Sequence, residues 1–277
     1  MLQKYDTTKS ISLLALAAAG GFAFTAAAQT VTPCTPTDGY EIGLSSFVAE
    51  AEACLAGADT FMASYETELL ERINKARTDA GLTELALRDG LTKAARAHSL
   101  DMAEREYAAH TDPEGRDHMF RARAFDRTVL IASSGAAVLQ TGLGADAGDV
   151  FVLMIEDPQN DANIMNEAFT HVGFGMIRGE DSMHVTVVFA EVSGELSEPL
   201  PLKLAGFAAM RPDLLDRSSE TLAWGLTDQA SGELLAKGSG SRIAARRLAG
   251  VDMAELDVLV ETDGDLYTLK GPLVSAR

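Results

Sequence analysis

The chain has 277 residues, 47% of them hydrophobic, enough for one large domain or two modest ones around a packed core. Its 41 acidic and 23 basic side chains give a formal net charge of −18. A surface that negative repels phosphate backbones and anionic headgroups, so nucleic acid is excluded as the expected partner. The densest basic stretch, Arg242, Arg246 and Arg247, alternates with alanines and reads as a solvated strand face.

The N-terminus carries Lys4 and Lys9, then the apolar run ISLLALAAAGGFAF over residues 11–24, then Ala26-Ala27-Ala28 before Gln29. That order is the anatomy of a secretory signal peptide spanning residues 1–28. A membrane anchor wants about 20 apolar residues, and this run is shorter and interrupted by Gly20 and Gly21. The mature chain is therefore expected to have no membrane-spanning segment and to be secreted or periplasmic. Cys34 and Cys54 both follow the signal, and two cysteines in an oxidising compartment are expected to pair. Two free thiols is the alternative; the absence of a C-x-x-C spacing argues against redox catalysis.

Residues 29–64 read as an N-terminal extension, irregular at first and then helical over about Leu44 to Leu55. Leu69, Ile73, Ala76 and Ala80 recur at helical spacing, and Gly81 is placed to end that helix. Leu91, Ala95, His98 and Met102 form the stripe of the next helix, before a D-P-E-G turn at residues 112–115. The sequence turns β-like from Arg127 to Ala132, then glycine-rich through Gly142, Gly144 and Gly148. Val150 to Ile155 reads as a buried helix stopped by Asp157-Pro158. Strands are expected from His171 to Ile177 and from His184 to Val192. Residues 193–202, with Pro199 and Pro201, read as a linker, and residues 203–277 as a small, mostly β module with a hairpin at Asp263-Gly264.

Five segments in order resemble the CAP family, also called SCP-like: cysteine-rich secretory, antigen 5 and pathogenesis-related proteins, the bacterial branch above all. They are LLERINKARTDAGLTEL, with Asn74, Arg77, Gly81 and Leu82; LTKAARAHSLDMAEREYAAH; D-P-E-G with Arg121 and Phe125; ANIMNEAFTHVGFGM; and HVTVVFAE. The resemblance covers residues 65–192, about half the chain. It implies an α+β fold, an α-β-α sandwich with a central cleft, here followed by the β module.

In many members two histidines and two glutamates line that cleft and can hold a divalent metal, a ligand set suited to zinc. Carried over by position, His110 matches the cleft histidine after the second helix. The first glutamate falls near Ser133-Ser134-Gly135, where there is no carboxylate. The family's S-P-G-H-R segment corresponds to residues 157–161, with Asn160 for its histidine and Asp161 for its arginine. Glu156 and Asp157 lie near the second acidic position. His184 lies at the last histidine or one residue out of phase with it. The resemblance thus implies a degenerate site with no metal expected, His110 and His184 being the weak candidates for a zinc-like ion.

Other histidines read more plainly. His98 sits on an apolar stripe and is expected in the core; His118, beside Asp117 at a helix start, is expected at the surface. His171 heads a strand, with the cleft as its alternative place. No G-x-S-x-G, H-E-x-x-H, P-loop or calcium-loop pattern occurs. The leading expectation is a non-catalytic exported protein that holds a small apolar or cell-envelope ligand, with His110, His184, Glu156 and His171 as cleft candidates. One alternative is a metal-assisted hydrolase of an envelope component, with His110, Glu156 and His184 as catalytic candidates. The other is a structural envelope protein.

Overall fold

The computed structural model describes residues 43–275, apart from residue 59 and residues 245–247, 249 and 250. The signal segment, Cys34, Arg246 and Arg247 lie outside the described residues. Six helices are described: α1 (Leu44–Gly57), α2 (Ala63–Asp79), α3 (Asp89–Glu104), α4 (His118–Phe125), α5 (Ala147–Glu156) and α6 (Pro158–Ile164). The strands are β1 (Ala86–Leu87), β2 (Val129–Gly142), β3 (His171–Arg178), β4 (Ser182–Leu196), β5 (Phe207–Ala209) and β6 (Pro212–Leu214). They continue with β7 (Ser219–Asp228), β8 (Leu234–Gly238), β9 (Arg242–Ala244), β10 (Ala254–Thr262) and β11 (Asp265–Val274).

Local chemistry sets these boundaries. At the end of α2, Gly81 adopts φ 80°, and the Leu82 amide turns back to the Arg77 carbonyl at 2.8 Å. Asp117 caps α4 by accepting the Phe120 amide at 2.7 Å, and Asp146 and Asp149 form a reciprocal capping box on α5. Asp157 ends α5 and also caps α6, whose first residue is Pro158. The Asp-Pro pair therefore opens a second helix where the sequence suggested a stop, because proline suits a first helical position. Asp263 and Gly264 both adopt positive φ, 53° and 91°, the geometry of a two-residue hairpin turn joining β10 to β11.

A nine-stranded sheet runs β1-β3-β4-β2-β11-β10-β7-β8, with β6 added beside β4; β5 and β9 form a separate pair. The β2–β4 and β3–β4 pairs are antiparallel. One face of this region packs Val188, Ala190 and Val192 against α1, α3 and α4. The opposite face packs Val185, Val187 and Phe189 against α2 and α5. The V-G-F-G glycines make the first layer possible. A Cβ at Gly173 would lie 2.2 Å from the Leu91 carbonyl carbon, and one at Gly175 2.4 Å from the Ala95 carbonyl, so α3 rests directly on β3.

Three features differ from the sequence reading. β2 extends to Gly142, absorbing the stretch after Ala132, because S-S-G-A-A pairs along β4 although its small residues lack a strand-like alternation. α5 is one-sided rather than buried: Ala147, Val150 and Met154 face inward, while Val152, Leu153 and Ile155 are 46%, 42% and 40% exposed. Its helical neighbours α2 and α6 cover one flank. β4 runs to Leu196, into the stretch read as a linker, where β6 pairs with Gly194–Leu196.

The C-terminal strands join the central sheet where Lys270 on β11 opposes Ile131 on β2. Two arginines of the α4 region pin them there. Arg123 donates to the Leu256 carbonyl at 2.9 Å and pairs with Glu255 at 2.9 Å. Arg127 donates to the carbonyls of Leu200 and Leu273. A separate apolar cluster, including Leu130, Trp224, Leu256, Val258 and Leu269, fills the layer beneath these strands.

Candidate functional site

Asn74 and Arg77, the paired residues of the first motif, are structural. Asn74 donates to and accepts from the backbone of Leu85, at 3.0 and 2.8 Å. Arg77 is fully buried and donates to the carbonyls of Thr83, Ile164, Asn166 and Phe169, tying α2 to the segment after α6.

The loop after α3 is shaped by a buried ionic network. Asp101 accepts from Arg105 at 2.6 Å and from the Tyr107 hydroxyl at 2.5 Å. Arg105 is bidentate to Glu114 at 2.7 and 2.8 Å, and Arg116 joins Glu114 to Asp112 at 2.9 and 2.6 Å while stacking over Phe47. Burial beside Asp101 raises the Tyr107 phenol. Arg121 is held by the carbonyls of Arg116 and His110, and desolvation pushes its guanidinium down to about 10 despite Asp112.

This network presents His110 outward, and its side chain is exposed. His118 lies beside it, half-buried rather than at the open surface, with Nε2 3.0 Å from the Ser134 hydroxyl. Burial lowers the His118 pKa, and Arg121 and His110 add to that against the opposing pull of Asp117. His98 is in the core as the stripe implies: it is 1% exposed, its Nε2 is 2.7 Å from the Ala109 carbonyl, and desolvation drives its pKa to about 2.

The other candidates sit elsewhere. His184 is buried against Ala103 of α3, 3.1 Å from the Ser182 hydroxyl, and desolvation lowers its pKa. It opposes Gln140, six residues along β2 from Ser134, a separation of roughly 20 Å. His171 bonds Thr170 at 2.8 Å, and burial followed by Arg88 lowers its pKa. Glu156 is exposed at the end of α5, on the opposite side of the sheet from His184. The structure thus joins His118 to Ser134 with His110 nearby, and keeps them apart from His184 and Glu156; His171 lies level with Ser134 two strands across, through Ala190.

Nor does the first carboxylate have a place. Ser133 donates to Glu191 at 2.7 Å, Ser134 meets His118, and a Cβ at Gly135 would lie 2.4 Å from the Asn163 side chain. Among the described residues no group of three or more His, Cys, Asp or Glu could hold a metal ion. The residues present do not fit the metal of the two-histidine, two-glutamate site.

Another opening lies where β4 and β2 meet the C-terminal strands; His171 reaches its rim through Thr170, while His110, His118 and His184 do not line it. This cleft of about 550 Å³ has Ala132, Val260 and Leu269 among its apolar walls and Glu191 and Thr170 on the β4 side. Leu215 and Tyr267 also line it, 61% and 50% exposed. Its size and mixed lining are those of a small-molecule site. The sequence does not reveal it because its walls come from segments far apart in the chain, most of them beyond the stretch taken as linker, of which Ser193 alone lines the cleft. Glu191, a carboxylate closing the apolar run VTVVFA, is the one local signal.

A profile of the cysteine-rich secretory protein family, CAP, matches residues 70–190, the segment that forms α2 to β4. Over that segment the chain matches the CAP domain. The uncharacterised protein YkwD of Bacillus subtilis (strain 168) is 26% identical over 150 residues, 54% of this chain and 57% of that protein. The chain therefore matches little more than half the length of that relative. Among solved structures, an outer surface protein from Borrelia burgdorferi aligns at 18% identity over 47% of this chain and 93% of its own, with a TM-score of 0.42. An extracellular SCP-domain protein from Bacillus anthracis aligns at 22% identity over 46% of this chain and 40% of its own, with a TM-score of 0.39. Beyond the CAP domain, the strands from β5 onward lie outside the matched residues. No described helix is long and apolar enough to cross a membrane.

Proposed function

We propose that this is an exported, secreted or periplasmic, CAP-domain binding protein that holds a small, largely apolar ligand of the cell envelope without catalysing a reaction on it. The observation that carries this reading is the cleft between β4 and the C-terminal strands. The separation of His110, His184 and Glu156 supports binding over the hydrolase, which needs those side chains within a few ångströms of one another. The signal-like N-terminus supports export, and pairing of Cys54 with Cys34 belongs to the same reading; Cys54 is buried beside Leu100 and Ile177.

The neutral fluorescent probe N-phenyl-1-naphthylamine tests it. The protein is expected to bind one equivalent with enhanced fluorescence. Ala168→Phe, which places a ring in the cleft wall, is expected to weaken binding at least about tenfold. An unresponsive probe, or equal binding by the variant, would contradict the reading.

A further inference from the structure

The charge of the cleft is one-sided. Its two ionisable carboxylates are Glu191, on the β4 wall, and Asp216, near the mouth, and none of the described residues lining it is basic. Glu191 accepts a hydrogen bond from Ser133, a neutral donor, and no Lys or Arg neutralises it among the described residues. Asp216 accepts from the Ser218 amide and hydroxyl, which hold its carboxyl below the usual range, so it remains an anion. Arg217, next in the chain, is exposed and does not line the cleft.

The remaining lining divides by chemistry. Ala132, Val260 and Leu269 offer an apolar wall, and the half-exposed Tyr267 offers an aromatic face. Ser219 and Thr262 bond each other at 2.6 Å. A fatty-acid carboxylate placed here would lose water and meet two like charges. An ammonium would find counter-ions at both levels and a tyrosine ring for cation–π contact, with its apolar body against the β10 and β11 side chains.

We propose that the cleft selects an amphiphile bearing a positively charged amine, with Glu191 as its counter-ion and the β10–β11 hairpin as its apolar wall. This rests on the cleft being the binding site and adds the chemistry of the occupant. The counter-ion stands on β4, at the end of the CAP-like segment, while the apolar wall of Tyr267, Val260 and Leu269 lies in the C-terminal strands outside the CAP match.

Competition against N-phenyl-1-naphthylamine with decylamine, 1-decanol and decanoate, each below its micellar concentration at pH 7, tests the inference. Decylamine is expected to displace the probe about tenfold more tightly than decanol, with decanoate weakest, and the amine preference should shrink as salt rises. Glu191→Gln is expected to remove most of the amine preference while leaving decanol unchanged, which separates the cleft from general attraction to an acidic surface. Asp216→Asn, at an exposed position, provides a second test and should reduce the preference in part. Equal or tighter binding of decanoate, or an unchanged amine-to-alcohol ratio in both variants, would overturn amine selection while leaving the binding cleft standing. If the probe itself fails to bind, the cleft reading falls and this inference with it.

Discussion

The imidazole of His98 is enclosed by α3 and the following loop, edge-on to Tyr107, and is neutral until about pH 2. In the unfolded chain it titrates near 6.5. Between those values the unfolded state holds one more proton, so stability rises with pH and is lost as pH falls below about 6.5. From pH 6.5 to pH 5 this residue alone is expected to cost on the order of 2 kcal/mol. Urea denaturation at the two pH values should show that loss, and His98→Gln should show a smaller one; equal pH dependence in the two proteins would contradict it. The place of His98 was legible because it shares a helical stripe with Leu91, Ala95 and Met102. That of His118 was not, since its half-burial comes from Ser134 on a strand that its own neighbours do not reveal.

At the scale of elements, Arg77 holds together pieces remote in sequence. Its guanidinium serves four carbonyls, on Thr83, Ile164, Asn166 and Phe169, with no carboxylate among the described residues to balance it, and burial lowers its pKa. A lysine ammonium concentrates its donors at one point and cannot reach all four. Arg77→Lys is therefore expected to destabilise by about 2–4 kcal/mol, mostly from carbonyls left without donors. Chemical denaturation checks this, and a change within about 0.5 kcal/mol, the range of ordinary surface substitutions, would show that the carbonyls find other partners. Helices α2 and α3 were legible from their apolar spacing and stop signals. The length of β2 was not, because Ser133, Ser134, Gly135 and Ala136 carry neither alternation nor strong strand preference and are held by pairing with Val188–Glu191. The run at Val150–Ile155 misled for the opposite reason: hydrophobicity without a period does not say how many sides of a helix are covered.

The whole molecule shows why family motifs and the candidate site point to different places. The motifs report packing: Gly173 and Gly175 under α3, Asn74 on the backbone of Leu85, Arg77 beneath the loop after α6, Arg121 behind His110. The CAP-like scaffold is therefore legible from the sequence even though Ser133-Ser134-Gly135 offers no carboxylate. The cleft is not, because it exists only once β11 pairs with β2 and the β6–β7 connection folds over β4. Such pairings are non-local and leave no short-range pattern. In the proposed function, binding takes place at this junction and not at His110 and His118. Backbone amide chemical-shift mapping of the isotope-labelled mature protein, titrated with decylamine, tests it most directly. Saturable shifts are expected to centre on Thr170, Glu191, Thr262 and Tyr267, with His110 and His118 unmoved. Shifts centred on His110 and His118 with the cleft silent would contradict it.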